Sequence, residues 1–472
     1  QAAERLSAEL IVTARRHRER WSLETRATVL AGAAYVSPIF LDAGETPINI
    51  QVTADWFEGA ARLVFDSWQA DIGEALALSG TGTLLTDSFR LTGGTVVARS
   101  DRADLLYRHI LQPFLIGTPA DEMTVDGRLG MVLHADEQGM QQAGLELSDF
   151  GFRDERGRFE LGRTDGSLAW DRRADVPASR LSAEGARLFG IPVGAFALNG
   201  RFAGDRFVLS DAAIFPVLGG TFSVDAFALS GALMDGASPT WTASASLQDV
   251  RLEDLTNHLG WPSFSGDLRA TLNEMRYAQQ TVEIDGGLIM SAFGGEIGVE
   301  DLRIDQPFGV APRLTANADL QRLDLEAVTR TFSFGRIEGR LDGNVRDLEL
   351  IGWSPSRFDL HLYTTPDDDS RRRISQRAVS NLTELGSGVP AGLSGTVLRL
   401  FQAFGYRRID LRIELDGDVA YLDGLAREEG GYYLVQGSGL PRIDVIGRNR
   451  SVAWRELIER LRQIQVEEVR IE

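Results

Sequence analysis

Two stretches decide how the chain is read: ASLQDVRLEDLTNHLGWPSFSGDL at 245–268 and ADLQRLDLEAVTRTFSFGRIEGRL at 318–341. Aligned at an offset of 73 residues, they share eight of 24 positions: Ala245/Ala318, Leu247/Leu320, Gln248/Gln321, Leu252/Leu325, Glu253/Glu326, Thr256/Thr329, Gly266/Gly339 and Leu268/Leu341. Each copy reads as a strand, a short Leu-Glu segment, an aromatic residue (Trp261 or Phe334) and a Gly-x-Leu that opens the next strand. A fainter third copy is expected at Asp126-Gly127-Arg128-Leu129, after a helix. Repeated β units stack, each covering the edge of the one before, and do not close into separate cores.

Working outward, the dominant signal is alternation with a period of two. Leu314, Ala316, Ala318 and Leu320 point one way, and Thr315, Asn317 and Asp319 the other. Phe358, Leu360 and Leu362 alternate with Asp359, His361 and Tyr363, and Ile409, Leu411, Ile413 and Leu415 with Asp410, Arg412, Glu414 and Asp416. Such runs are strands with one dry and one wet face. Gly93-Gly94, Gly219-Gly220, Gly286-Gly287, Gly294-Gly295 and Asp416-Gly417 supply the turns between them. The chain is therefore expected to be mainly β and antiparallel.

Helices are few. A helix is expected over 103–112, with Leu106, Ile110 and Phe114 spaced four apart and Pro113 ending it. Stripes at Ile374, Ala378, Leu382 and Leu385 and at Leu393, Val397, Leu400, Phe401 and Phe404 predict helices over 374–385 and 393–404. A last helix is expected over 452–464, with Trp454, Leu457, Ile458, Leu461 and Ile464 on one face, capping the open end of the sheet.

Composition narrows the function classes. The 472 residues carry 49 basic and 68 acidic side chains, a net charge of −19, and every basic residue is Arg. So acidic a chain is repelled by nucleic acid and by anionic bilayers. With no cysteine, disulfides, thiolate metal sites and Cys nucleophiles are excluded. No stretch reaches the roughly 18–20 apolar residues of a membrane-spanning helix. Gln1 stands in place of Met, so a preceding segment removed by processing or cloning is expected.

Catalytic chemistry finds no foothold in the sequence. His17, His109, His134, His258 and His361 lie far apart and form no H-x-x-x-H or H-E-x-x-H motif. There is no G-x-S-x-G, Walker A or G-x-G-x-x-G motif either. The strongest metal candidate, Asp367-Asp368-Asp369, lacks the spacing of a calcium loop, and Arg371, Arg372 and Arg373 neutralise it. No enzyme activity, metal or cofactor is expected.

What remains is the apolar face, which four short helices cannot cover. The strands either pack face to face as a sandwich or curl into one long trough whose inner face stays open to acyl chains. Each methylene moved from water into such a trough is worth about 0.8 kcal/mol.

Across 190–465 the chain resembles the AsmA-like family of Gram-negative bacteria, with its TamB-, YhdP- and YdbH-type members. The resemblance rests on the two Leu-Glu…Gly-x-Leu repeats, including Phe334-Gly335-Arg336-Ile337-Glu338-Gly339-Arg340-Leu341-Asp342-Gly343. It continues in Ile374-Ser375-Gln376-Arg377-Ala378, Phe404-Gly405-Tyr406-Arg407-Arg408-Ile409, Gly431-Tyr432-Tyr433-Leu434-Val435 and Val445-Ile446-Gly447 followed by Trp454. It implies an elongated, twisted antiparallel sheet curled into a U-shaped groove, with a few short amphipathic helices. It also implies a periplasmic protein, tethered to the inner membrane by an N-terminal anchor absent from this chain, that conducts phospholipid to the outer membrane. A small outer-membrane lipoprotein that extends the sheet by strand addition is an expected partner.

On that fold the expected lining is Leu314, Ala316, Ala318, Leu320, Phe358, Leu360, Leu362, Ile409, Leu411, Ile413 and Leu415. Three segments are expected: an N-terminal groove segment over 1–190, the repeated units over 191–350, and a C-terminal groove segment with three helices over 351–472. The competing expectation is a non-enzymatic assembly scaffold that pairs with client proteins through an exposed strand edge.

Overall fold

The structure, a computed structural model, describes residues 2–36, 39–42, 47–88, 90–118, 120–172, 178–231, 238–259, 262–307, 309–387, 401–426 and 431–459. The chain is mainly β, with antiparallel pairing and a few short helices, as the alternation predicts. It divides into two compact units: Gln1–Val217 with Asp225–Pro239, and Leu218–Val224 with Thr240–Glu472. The boundaries drawn from sequence at 190 and 350 do not separate units. Ala186–Leu188 pairs with Ile191–Val193 across the first, and Arg340–Ile351 with Ser354–Thr364 across the second.

In the first unit, strands Ala2–His17, Arg20–Val36, Ile48–Phe57, Arg62–Ile72, Leu76–Leu85 and Arg90–Ser100 each bond to the next along the chain. Met123–Asp136, Gly139–Asp154 and Phe159–Asp171 continue the meander. The ladder then splits, with Ser179–Ala183 and Ala186–Leu188 both pairing with Phe159–Asp171.

Between Ser100 and Met123 the chain is helical, but not as a single α-helix ended by Pro113. Ala103–Leu106 is α-helical, Tyr107–Leu111 is one π-turn, and Gln112–Leu115 is α-helical again. The wider turn sits just ahead of Pro113, which has no N–H to give to the residue four back, and the proline falls in the first turn of a fresh helical segment. Ala103 and Tyr107 are buried against Val125.

In the second unit the meander runs Thr240–Arg251, Gly266–Ala278, Thr281–Ala292, Gly295–Asp305, Arg313–Asp324, Arg340–Ile351, Ser354–Thr364, Ala403–Asp416 and Val419–Asp423. The 73-residue repeat is present in three dimensions. Strand Thr240–Arg251, helix Leu252–Leu259 and strand Gly266–Ala278 correspond to strand Arg313–Asp324, helix Leu325–Thr331 and the strand from Arg340. Register shifts between Ala243/Ala245 and Leu247/Val250 recur between Ala316/Ala318 and Leu320/Leu323. The second shift is a bulge whose extra residue takes a positive φ, Asp249 at 52° and Arg322 at 52°.

The identical residues of the two stretches hold this module together. Leu252 and Leu325 open the helices and are buried. The hydroxyls of buried Thr256 and Thr329 donate to the carbonyls of Leu252 and Leu325, at 2.8 and 2.7 Å. Gly266 and Gly339 have φ of 147° and 135°, and a Cβ there would collide with the Ser291 carbonyl or the Tyr406 hydroxyl. The third expected copy follows the same order, with Arg90–Ser100, a helix, then three strands, and Gly127 at φ 101°.

The remaining helix expectations fare unevenly. The 374–385 helix is observed as Gln376–Ser387, with Ala378, Val379 and Leu382 buried. Ile374, placed in that stripe, instead lies in the strand Arg373–Ser375. Residues 388–400 lie outside the described residues, so most of the 393–404 helix does too. Its end is not helical: Phe404 is a buried strand residue paired with Ile374. The last helix begins at Trp454, after the strand Ser451–Ala453, and residues 460–472 lie outside the described residues.

Candidate functional site

Side chains directly opposite one another in an antiparallel ladder share a face, so the registers show what each face carries. In the second unit one row runs Leu247, Ala270, Leu288, Val299, Ala318, Val345, Leu360, Ile413 and Leu422, one residue from each of nine strands. The neighbouring row runs Val250, Leu268, Met290, Ile297, Leu320, Gly343, Leu362 and Leu411. Neither row contains a polar side chain.

The opposite face is its complement. Its row Glu283, Arg303, Thr315, Glu349, Arg357 and Asp416 alternates charge along the sheet. Arg303 binds Glu283 at 2.6 Å, Arg357 sits 3.6 Å from Asp416, and Arg313 binds Glu349. The Glu349 carboxyl is held below the usual carboxylate range by the Ser356 hydroxyl and by Arg313. These pairs are largely solvated and add little stability; they keep this face wet.

The expected lining residues are on the dry face but not equally open. Leu314, Ala318, Leu320, Leu360, Leu362 and Leu411 are half-buried. Ala316, Phe358, Ile409, Ile413 and Leu415 are buried, and Leu415 is wholly inaccessible. The last four belong to a closed core with Ala420, Leu422 and Val452, against which Trp454 packs, its ring edge-on to Phe358 at 5.5 Å. Toward its C-terminal strands the dry face is thus filled by protein.

The first unit repeats the arrangement, in a stretch where the sequence reading expected a groove segment but named no lining residues. One row runs Leu10, Ala27, Ile50, Ala70, Leu78, Ala98, Met131, Leu145 and Leu168, again across nine strands. Beside it, Val52, Trp68, Gly80, Val96, Leu133, Ala143 and Trp170 form another. These rows hold an open trough of about 470 Å³ walled by side chains including Val52, Phe65, Trp68, Val96, Leu133 and Met140. The signal was available in Ile48, Ile50, Val52, Ala54 and Trp56, which alternate with Asn49, Gln51, Thr53 and Asp55.

The buried ionisable groups near the second unit's core are structural. Burial pushes the Tyr432 hydroxyl up to about 12 and raises Tyr406 as well. Each donates to a backbone carbonyl, Asn449 at 3.0 Å and Glu338 at 2.6 Å. Among the described residues, no group of three or more His, Asp and Glu side chains is placed to hold a metal ion, and no helix is long and apolar enough to cross a membrane.

No family model, no curated protein and no solved structure matches this chain.

Proposed function

We propose that the chain is a lipid-binding conduit whose dry sheet faces hold phospholipid acyl chains while head groups stay in solvent. One observation carries this reading: rows of apolar side chains run unbroken across nine strands in each unit, half-buried along much of their length, with a charged row behind those of the second unit. A soluble domain does not ordinarily leave so long an apolar surface without a partner. Successive strands extend it without a gap, which suits a cargo that slides more than one that docks. The resemblance of 190–465 to the AsmA-like family points the same way. On that resemblance the chain would act in the periplasm, moving phospholipid from the inner toward the outer membrane with a small lipoprotein as partner.

The test is transfer of a fluorescent phospholipid between donor and acceptor vesicles. Val96→Asp and Val299→Asp each place a charge on a half-buried inner position, and Arg99→Asp alters the solvent side. Transfer lost in the first two and kept in the third supports the conduit; transfer unchanged in all three sinks it.

One observation favours the scaffold reading. Strand Ala2–His17 pairs on one side only among the described residues, and Leu10, Ile11 and Val12 on it are exposed. A client strand could add there. Retained partner binding in the Val96→Asp and Val299→Asp variants, without lipid transfer in the parent, would favour it.

A further inference from the structure

Along one rim of the second unit, neighbouring hairpin ends form an exposed apolar surface outside both dry rows. The connection 306–312 follows strand Gly295–Asp305, and the two-residue turn Gly352-Trp353 follows Arg340–Ile351. Because Arg313–Asp324 pairs with Arg340–Ile351, the two ends lie side by side, and the Gly352 N–H donates to the Pro312 carbonyl at 2.9 Å. No charged side chain occurs in 306–312 or in 350–356. Val310 is fully exposed, and Ile351 and Trp353 are 46% and 58% exposed.

Trp353 stands there against local preference. Gly352 and Trp353 have φ of 55° and 67°, the two left-handed residues that a two-residue hairpin needs. In the turns Phe189-Gly190 and Phe293-Gly294 glycine holds the second place. Here the order is reversed, and a bulky ring occupies a region of φ that disfavours side chains. Asparagine or glycine would suit the turn better, so the turn itself gives no reason for an exposed indole. Around the tips the charge is mixed. Arg313 and Arg357 stand at the bases of the two hairpins, and Asp416 and Asp418 belong to the next one, all four exposed. Gly417, between these acids, donates its N–H to the Ser356 carbonyl at 2.8 Å, so the three hairpin ends are contiguous.

We propose that these hairpin ends dock on the surface of a zwitterionic phospholipid bilayer, with Val310, Ile351 and Trp353 set below the head groups. An indole is apolar over most of its area and polar at one N–H, which suits the boundary between head groups and hydrocarbon. The collar matches a head group that carries both signs, Arg313 and Arg357 toward phosphate and Asp416 and Asp418 toward ammonium. An anionic surface is disfavoured by those two acids and by the net charge of −19. The docking does not depend on the conduit reading, since Val310, Ile351 and Trp353 belong to neither row of the dry face.

The test is flotation of the full chain with vesicles of phosphatidylcholine, and with the same vesicles containing phosphatidylglycerol. The chain is expected to float with the first and less with the second. Trp353→Asn should weaken binding at least about tenfold and leave the thermal midpoint unchanged or raised, because asparagine suits the left-handed turn. Val310→Ser, at a fully exposed position, should weaken binding as well. Val96→Asp and Val299→Asp should leave flotation intact, which keeps bilayer docking distinct from lipid held in the dry rows. No flotation of the parent chain, or flotation indifferent to both rim substitutions, would overturn the proposal. So would a lowered midpoint in Trp353→Asn with Val310→Ser still bound, which would make the ring structural. A lipid-free dimer that Trp353→Asn dissociates would also overturn it, with a second copy of the chain as the occupant.

Discussion

At the scale of single residues, Asp324 starts the helix Leu325–Thr331, accepting hydrogen bonds from the backbone N–H groups of Glu326 and Ala327 at 2.9 and 3.2 Å. So short a helix has few other sources of stability. Asp324→Ala should therefore cost about 1 kcal/mol, read as a lower denaturation midpoint with an unchanged slope. Asp154 acts through charge. Its carboxylate is fully buried and takes three hydrogen bonds from Arg158, which hold its pKa well below the usual carboxylate range. Because the folded value lies below the unfolded one, near 3.9, the pair stabilises the fold fully above about pH 4 and progressively less below it. Thermal melts should lose stability from pH 4 downward, and Asp154→Asn should flatten that dependence; an unchanged profile would contradict the assignment.

At the scale of elements, the repeated module separates what the sequence discloses from what it hides. Alternation in 314–320 and 358–362 identified strands and their dry faces, because period two follows directly from the pleat. The identical Leu, Thr and Gly residues marked the module because the Leu opens a helix, the Thr closes its first turn, and the Gly lets backbones approach. The helices themselves were hidden, since seven or eight residues show too few turns of a 3.6-residue period to register. The 393–404 stripe erred in the opposite sense. Phe404 has helical spacing from Leu400, but its neighbours bond into a ladder with Arg373–Ser375, and tertiary pairing overrides periodicity. Openness was equally hidden, because alternation identifies a dry face without saying what covers it. Leu415 and Leu360 look alike in sequence, yet Leu415 lies in a closed core and Leu360 is half-buried. Leu415→Ala should cost about 2–5 kcal/mol by chemical denaturation, whereas a loss below about 1 kcal/mol would mean this end is open.

At the scale of the whole molecule, a chain of net charge −19 keeps apolar rows in each of two units, with a charged row on the opposite face of the second. Charge of that size favours solubility and discourages self-association, which lets a chain present apolar surface without aggregating through it. Among the described residues, protein fills the second unit's dry face toward the C-terminal strands, where Trp454 packs against the core. Along the remaining strands an acyl chain would gain about 0.8 kcal/mol for each methylene removed from water, enough for lipid to survive purification. The most direct measurement is native mass spectrometry of the purified chain with extraction of whatever accompanies it. The account predicts several phospholipids per chain, with Val96→Asp and Val299→Asp each removing part of that complement. A soluble, monomeric chain that carries no lipid would mean that protein covers both dry faces, and would contradict the conduit.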